Sequence, residues 1–242
     1  MSDDRLRELE RRYRASGNAE DWAAWALARR RAGELGADAD PYIERIAAGQ
    51  LTREQVALAG YLGDPAALAL DEHEVLRVAS YMSDELEIVP VVLGDPERGD
   101  LEAWVRGLAH WSPRWCVLAL LAVAEQLRTE IGVGMSEEAL EYDLDYFERL
   151  ADRALGAARD CLADPRSDAK RAVALEHAAL WGGGNIPAVR AAMAAARAAA
   201  AASGASQADS EEARGVELVL QAPEVVEWIR AALLPQVLGA PV

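Results

Sequence analysis

The chain reads as an all-α protein of about ten helices in antiparallel helical hairpins, packed as an irregular solenoid or a bundle. Three observations predict this. Apolar residues recur at spacings of three and four along most of the 242 residues, which is the period of a helix with one buried face. Helix-capping residues punctuate that pattern: Asn18, Thr52, Asp64, Asp100 and Ser112 stand where segments begin, and Gly33, Gly49 and Gly63 where they end. Alanine supplies 51 of the residues and so dominates the 52% hydrophobic fraction. Alanine is the best helix former but brings little burial energy, so much of that surplus makes helix rather than core.

The elements follow in order. Leu6, Leu9 and Tyr13 share one face of a first helix. Asn18 offers an N-cap to a helix over about 19–32, with Trp22, Trp25 and Ala26 on one side and Gly33 at its end. Pro41 opens a short helix that ends at Gly49. Thr52-Arg53-Glu54-Gln55 has the form of a capping box. Asp64-Pro65 starts the next helix with proline in the tolerated first position. The run Glu87 to Leu93 places β-branched residues around Pro90, which leaves edge strand, extended connector and broken helix open.

Beyond it, Asp100 caps a helix carrying Leu101, Trp104, Val105 and Leu108. Ser112-Pro113 leads into a helix through Leu127 that is apolar nearly all round and is expected at the centre of the core. A long helix is expected over about 137–163, another up to Trp181, an alanine-rich one from Pro187 to Ala202, and two last ones over about 211–221 and 223–234. Two short echoes run through the first hundred residues. Ala32-Gly33-Glu34-Leu35 returns as Ala48-Gly49-Gln50-Leu51, and Leu62-Gly63-Asp64-Pro65 returns as Leu93-Gly94-Asp95-Pro96. Both mark a helix end followed by a restart, without a strict repeat. The expected organisation is an N-terminal helical unit over 1–70, an acidic junction over 71–99, and a larger helical unit over 100–242 with a flexible loop at 203–210.

The segments Arg31-Ala32-Gly33-Glu34-Leu35, Leu58 to Ala67 with its Leu-Gly-Asp-Pro, and Leu101-Glu102-Ala103-Trp104-Val105 on to Trp111 and Cys116 carry a family likeness. Over roughly residues 5–120 the chain resembles an uncharacterised helical domain of high-GC bacterial proteins of the myxobacterial and planctomycete kind. The resemblance implies an all-helical fold. It implies no activity and assigns no catalytic residue.

Charge is distributed unevenly. Residues 64–148 hold 19 acids against 5 bases, whereas residues 1–63 and 149–242 each hold 11 against 10, so −14 of the net −16 lies in the middle third. Such a field repels nucleic acid and anionic membranes and attracts basic protein surfaces. No secretory leader and no apolar run of the ~18 residues a membrane span needs are read from the sequence. Cys116 and Cys161 form no metal-binding or redox pair pattern. The expectation is a cytoplasmic, non-enzymatic protein with reduced thiols, no cofactor and no metal. A basic protein is its expected partner, neither nucleic acid nor membrane is, and a second copy of the chain stays open.

Four acidic residues stand out. Glu137, Glu141, Asp145 and Glu148 run along one face of the long helix at spacings of four, four and three. Like charges so spaced weaken a helix by ~0.2–0.5 kcal/mol each. One reading is that the first of them complement the helix dipole and the rest are simply hydrated. The sharper reading is a ridge on which the Arg and Lys side chains of a partner dock. The function expected from that ridge is a scaffold or adaptor. An acidic immunity or inhibitor protein that neutralises a cationic toxin or nuclease is the alternative. A third reading is a small-molecule binder or enzyme with an apolar cavity lined by Trp104, Trp111 and Trp115.

Other groupings read as structure. His73 in Asp71-Glu72-His73-Glu74 has no second histidine one helical turn away, so a solvated helix start accounts for it. Gly182-Gly183-Gly184-Asn185 lacks the Lys-Ser/Thr of a phosphate-binding loop and serves as C-cap and N-cap between two helices.

Overall fold

The computed structural model of the chain describes residues 3–82, 88–129, 144–178, 187–203 and 224–239. Among the described residues the fold is all-α, with twelve α-helices, three short 3-10 turns and no strand. None of these helices is long and apolar enough to cross a membrane.

The chain divides into two compact units. The first takes in Met1–Gly99 together with Leu234–Val242. Helix α1 (Asp3–Ser16) packs on α2 (Ala19–Ala32), which packs on α3 (Asp40–Ala47), and α4 (Arg53–Tyr61) packs on α5 (Pro65–Met82). A one-turn helix, α6 (Val89–Val92), also packs on α5 and decides the open question at Pro90 in favour of helix. Proline sits in its first turn, where a missing N–H breaks no intrahelical bond. Trp22, Ile43, Ile46, Tyr61, Leu62, Leu70 and Ile88 are almost wholly removed from solvent and make this unit's core.

Capping chemistry explains where these helices stop and start. Asn18 Oδ1 accepts from the Asp21 amide at 2.7 Å. Thr52 and Gln55 form both halves of a capping box, at 3.1 and 2.8 Å. Asp64 accepts from the Ala67 amide at 2.9 Å. The two sequence echoes prove to be four copies of one C-terminal motif. Gly33, Gly49, Gly63 and Gly94 all adopt positive φ, between 67° and 92°. At each, the next amide reaches back across the last turn: Glu34 to the Arg29 carbonyl, Gln50 to Arg45, Asp64 to Ala59 and Asp95 to Pro90, at 2.8–3.0 Å.

The boundary expected at residue 70 falls instead inside α5, a helix bent at Asp71, where φ is −135° and ψ 37°. Residues on both sides of the bend, and on to Gly99, belong to the first unit. Side chains distant in sequence hold the bend, so composition alone could not locate it.

The second unit takes in Asp100–Leu233. It contains α7 (Leu101–Gly107), α8 (Pro113–Thr129), α9 (Leu144–Ala163), α10 (Asp168–Ala178), α11 (Pro187–Ser203) and most of α12 (Glu224–Val237). A central position goes to α11, which packs against α8, α9 and α10. Nine of its residues, among them Ala192, Ala195 and Ala196, are buried, and they cover rather more than half of its circumference. Small side chains let three neighbours approach one axis closely, so the alanine surplus builds the middle of this unit. The larger core side chains, Trp104, Leu108, Leu120, Ile229 and Leu233, come from α7, the 3-10 turn Leu108–His110 that follows it, α8 and α12. Helix α12 runs on through Pro235 rather than stopping before it, since a proline in the last turn forgoes one hydrogen bond only. The loop expected at 203–210 and the helix expected over 211–221 lie outside the described residues, apart from Ser203 at the end of α11.

The C-terminal turn of α12 is held within the first unit. Gln55 Nε2 donates to the Val237 carbonyl at 2.9 Å, and Arg45 donates to the Leu238 carbonyl. These satisfy carbonyls that a helix C-terminus leaves without intrahelical donors.

Candidate functional site

Of the four residues of the acidic ridge, Glu137 and Glu141 lie outside the described residues. Asp145 and Glu148 open α9, which presents an apolar face through Leu150, Ala151, Ala154 and Ala158 to the core. Asp145 is exposed. Glu148 is half-buried and paired with Arg128 of α8 at 3.4 Å. Arg128 also makes a two-pronged contact with Asp152, at 2.8 and 3.2 Å. Those hydrogen bonds hold the Asp152 carboxyl below the usual carboxylate range. Two turns further along α9, Arg159 reaches Glu125 of α8 at 2.6 Å. The acids nearest α8 are therefore engaged within the unit, and Asp145 is the described ridge residue that points to solvent.

The three tryptophans named for an apolar cavity differ in burial. Trp104 is fully buried and belongs to the core. Trp111 and Trp115 are half-buried, and His110 meets the Trp111 ring edge-on at 5.3 Å between centroids. His73 is exposed on α5. Among the described residues no three His, Cys, Asp or Glu side chains group as metal ligands would. Gly182 to Asn185 lie outside the described residues. Burial pushes the Cys116 thiol up to about 11, against a smaller opposing pull from Arg106. Cys161 is buried, and its thiol donates to the Ala199 carbonyl at 3.4 Å.

The most organised polar grouping was not singled out in the sequence. Four helices of the first unit contribute to it. The Tyr13 and Trp25 rings stack at 5.4 Å with planes 17° apart. Arg53 lies over the Tyr13 ring, 4.8 Å from its centroid, and Arg29 lies over Trp25 at 4.9 Å. Each cation thus meets the negative face of a ring. Arg53 Nη2 continues to the Asp71 carboxylate at 2.9 Å, and Arg29 Nη1 donates to the Leu70 carbonyl at 3.3 Å. Both guanidinium groups converge on the bend of α5. The Asp71 side chain is only 13% exposed. Desolvation pushes its carboxyl above the usual range, with Arg53 opposing.

Gly60 of α4 forms the floor of the bend. A Cβ there would lie 3.0 Å from the Leu68 backbone and 3.2 Å from Val75 Cγ2, one contact on each side of Asp71. The sequence signal was absent because Tyr13, Trp25, Arg29, Arg53 and Asp71 share no local pattern. Each alone reads as part of its own helix.

A second buried carboxylate, Asp21, lies between α1 and α2. It accepts from Ser16 at 2.6 Å and from Arg12 Nε at 2.5 Å, and these donors hold it below the usual range.

Compared with family models, with curated proteins and with solved structures, the chain matches none.

Proposed function

We propose that this protein is a non-enzymatic scaffold or adaptor of the cytoplasm whose acidic middle third docks a basic protein surface. The observation that carries this reading is the concentration of charge: −14 of a net −16 falls within residues 64–148, while the flanking segments are nearly neutral. A solvated surface alone needs no such segregation, whereas steering of a cationic partner does. The exposure of Asp145 at the start of α9 supports the ridge at its described end. Glu148, already paired with Arg128, contributes to the field more than to contact.

The test is capture from native extract at low and high salt, with the protein as bait and Glu137, Glu141 and Asp145 replaced by Lys as control. Glu148 is left in place so that Arg128 keeps its partner. The expected result is one or a few strongly basic proteins, held at low salt, released at high salt and lost with the triple variant. Capture that ignores both salt and the charge reversal would sink the docking role. A single partner bound very tightly would shift the reading to an inhibitor of a cationic toxin or nuclease.

A further inference from the structure

The bend in α5 has the construction of a movable joint. Asp71 leaves helical geometry in the seventh position of an eighteen-residue helix that contains no proline past its first residue and no glycine. Helix bends ordinarily trace to proline, glycine or an inserted group, and here the inserted group is the Arg29 guanidinium at the Leu70 carbonyl. What holds it is side-chain chemistry from three other helices. Arg53 of α4 grips the Asp71 carboxylate, Arg29 of α2 takes the Leu70 carbonyl, and the Tyr13 ring of α1 supports Arg53. A continuous helix would spend the Leu70 carbonyl on the amide four residues further on. Arg53 Nε itself is buried without a hydrogen-bond acceptor, so Arg53 depends on its Nη2 contact with Asp71 for compensation.

We propose that this bend is a proton-operated hinge: the ionised Asp71 carboxylate, clamped by Arg53, keeps α5 bent, and its neutralisation releases Arg53 and lets α5 close into one continuous helix. Aspartate is tolerated inside a helix at modest cost, so the straight form is open to residue 71 once the clamp is released. Bending re-aims the arm Glu72–Met82, which carries His73 and Glu74, within the acidic third of the chain. The groups that bear on Asp71 are Arg53 of α4, His73 and Glu74 of α5 itself, and, through the ring of Tyr13, Arg14 of α1. Arg29 of α2 stands at the adjacent carbonyl, and the 3-10 turn Ala37–Ala39 brings Asp38, which is exposed. Glu74 is itself bonded by Arg77 at 2.6 and 2.9 Å. Desolvation of the buried carboxyl outweighs the pull of Arg53, so the proton is taken up above the ordinary carboxylate range.

Carbon-13 NMR of the full chain across roughly pH 3 to 8 tests this. The Asp71 carboxyl carbon and the Cα shifts of Asp71 and Glu72 are expected to titrate with one shared midpoint, the Cα shifts moving to helical values on the acid side. Asp71→Asn is expected at the helical end throughout. Arg53→Gln, lacking the cation that favours the ionised form, is expected to move the midpoint to higher pH. The hinge is overturned if the carboxyl titrates while the Cα shifts stay at bent values. It is equally overturned if Arg53→Gln leaves the midpoint where it was, or if the Cα shifts of Glu72 titrate alike in Asp71→Asn.

Discussion

Gly60→Ala, set against Gly156→Ala, isolates the packing of the bend from the intrinsic preference of a helix for alanine. Both glycines lie inside helices, Gly60 in α4 and Gly156 in α9, and neither has the positive φ that would exclude a side chain. Replacing an interior helical glycine by alanine ordinarily stabilises by up to ~1 kcal/mol. At Gly156 nothing lies within 4 Å of the new Cβ, so that gain should appear undiminished. At Gly60 the new Cβ meets the Leu68 Cα and N at 3.0 Å and Val75 Cγ2 at 3.2 Å. Ordinary carbon contacts begin several tenths of an ångström further out, and a backbone cannot rotate aside as a side chain tip can. Overpacking of this kind costs ~1–3 kcal/mol. After the helix gain is set against it, Gly60→Ala should lose ~1–2 kcal/mol. For a chain of this length that is a fall in Tm of about 2–8 °C. Thermal and urea unfolding followed by far-UV circular dichroism measure both variants. A Gly60→Ala protein at least as stable as the wild type would refute the argument that α4 and α5 meet at this glycine.

Three further outcomes are expected. Asp21, held low by Ser16 and Arg12, contributes stability that is complete above the ordinary carboxylate range and lost as pH falls through its lowered value. Asp71 has the opposite sign: its contribution is complete at low pH and lost as pH rises through its raised value. Urea midpoints at pH about 7 and about 3 should therefore show Asp21→Asn losing its deficit on acidification, and Asp71→Asn losing its relative advantage. Trp22→Ala empties a fully buried site and should cost ~3–5 kcal/mol, while Trp22→Phe should cost clearly less because the buried indole N–H has no acceptor to forfeit; equal urea midpoints for the two would contradict this. At neutral pH a disulfide reagent should label Cys116 and Cys161 only on unfolding, since the first thiol is pushed up to about 11 and the second is buried. Rapid labelling of the native protein would show the packing around them to be looser.

Helix identity and helix ends were legible in the sequence because both are local. Asn18, Thr52, Asp64 and Asp100 bond amides within three residues of themselves, and the four glycines that end α2, α3, α4 and α6 need only a left-handed backbone at one position. The echoes thus reported repeated capping chemistry, not a repeated fold unit. What tertiary structure alone decided is which distant groups meet. The apolar α8 lies in the core as expected, packed against α7, α9 and α11, and α11 shares that central place because close approach to three neighbours favours the smallest side chains. Half of the acidic ridge lies beyond the described residues, and Glu148 proved to be paired with Arg128, twenty residues away in sequence. The bend at Asp71 depends on Arg53, Arg29, Tyr13 and Gly60, drawn from three other helices. Periodicity and capping are written in consecutive residues. A buried charge and its partner are joined only by the fold, where removal from water makes the pairing matter.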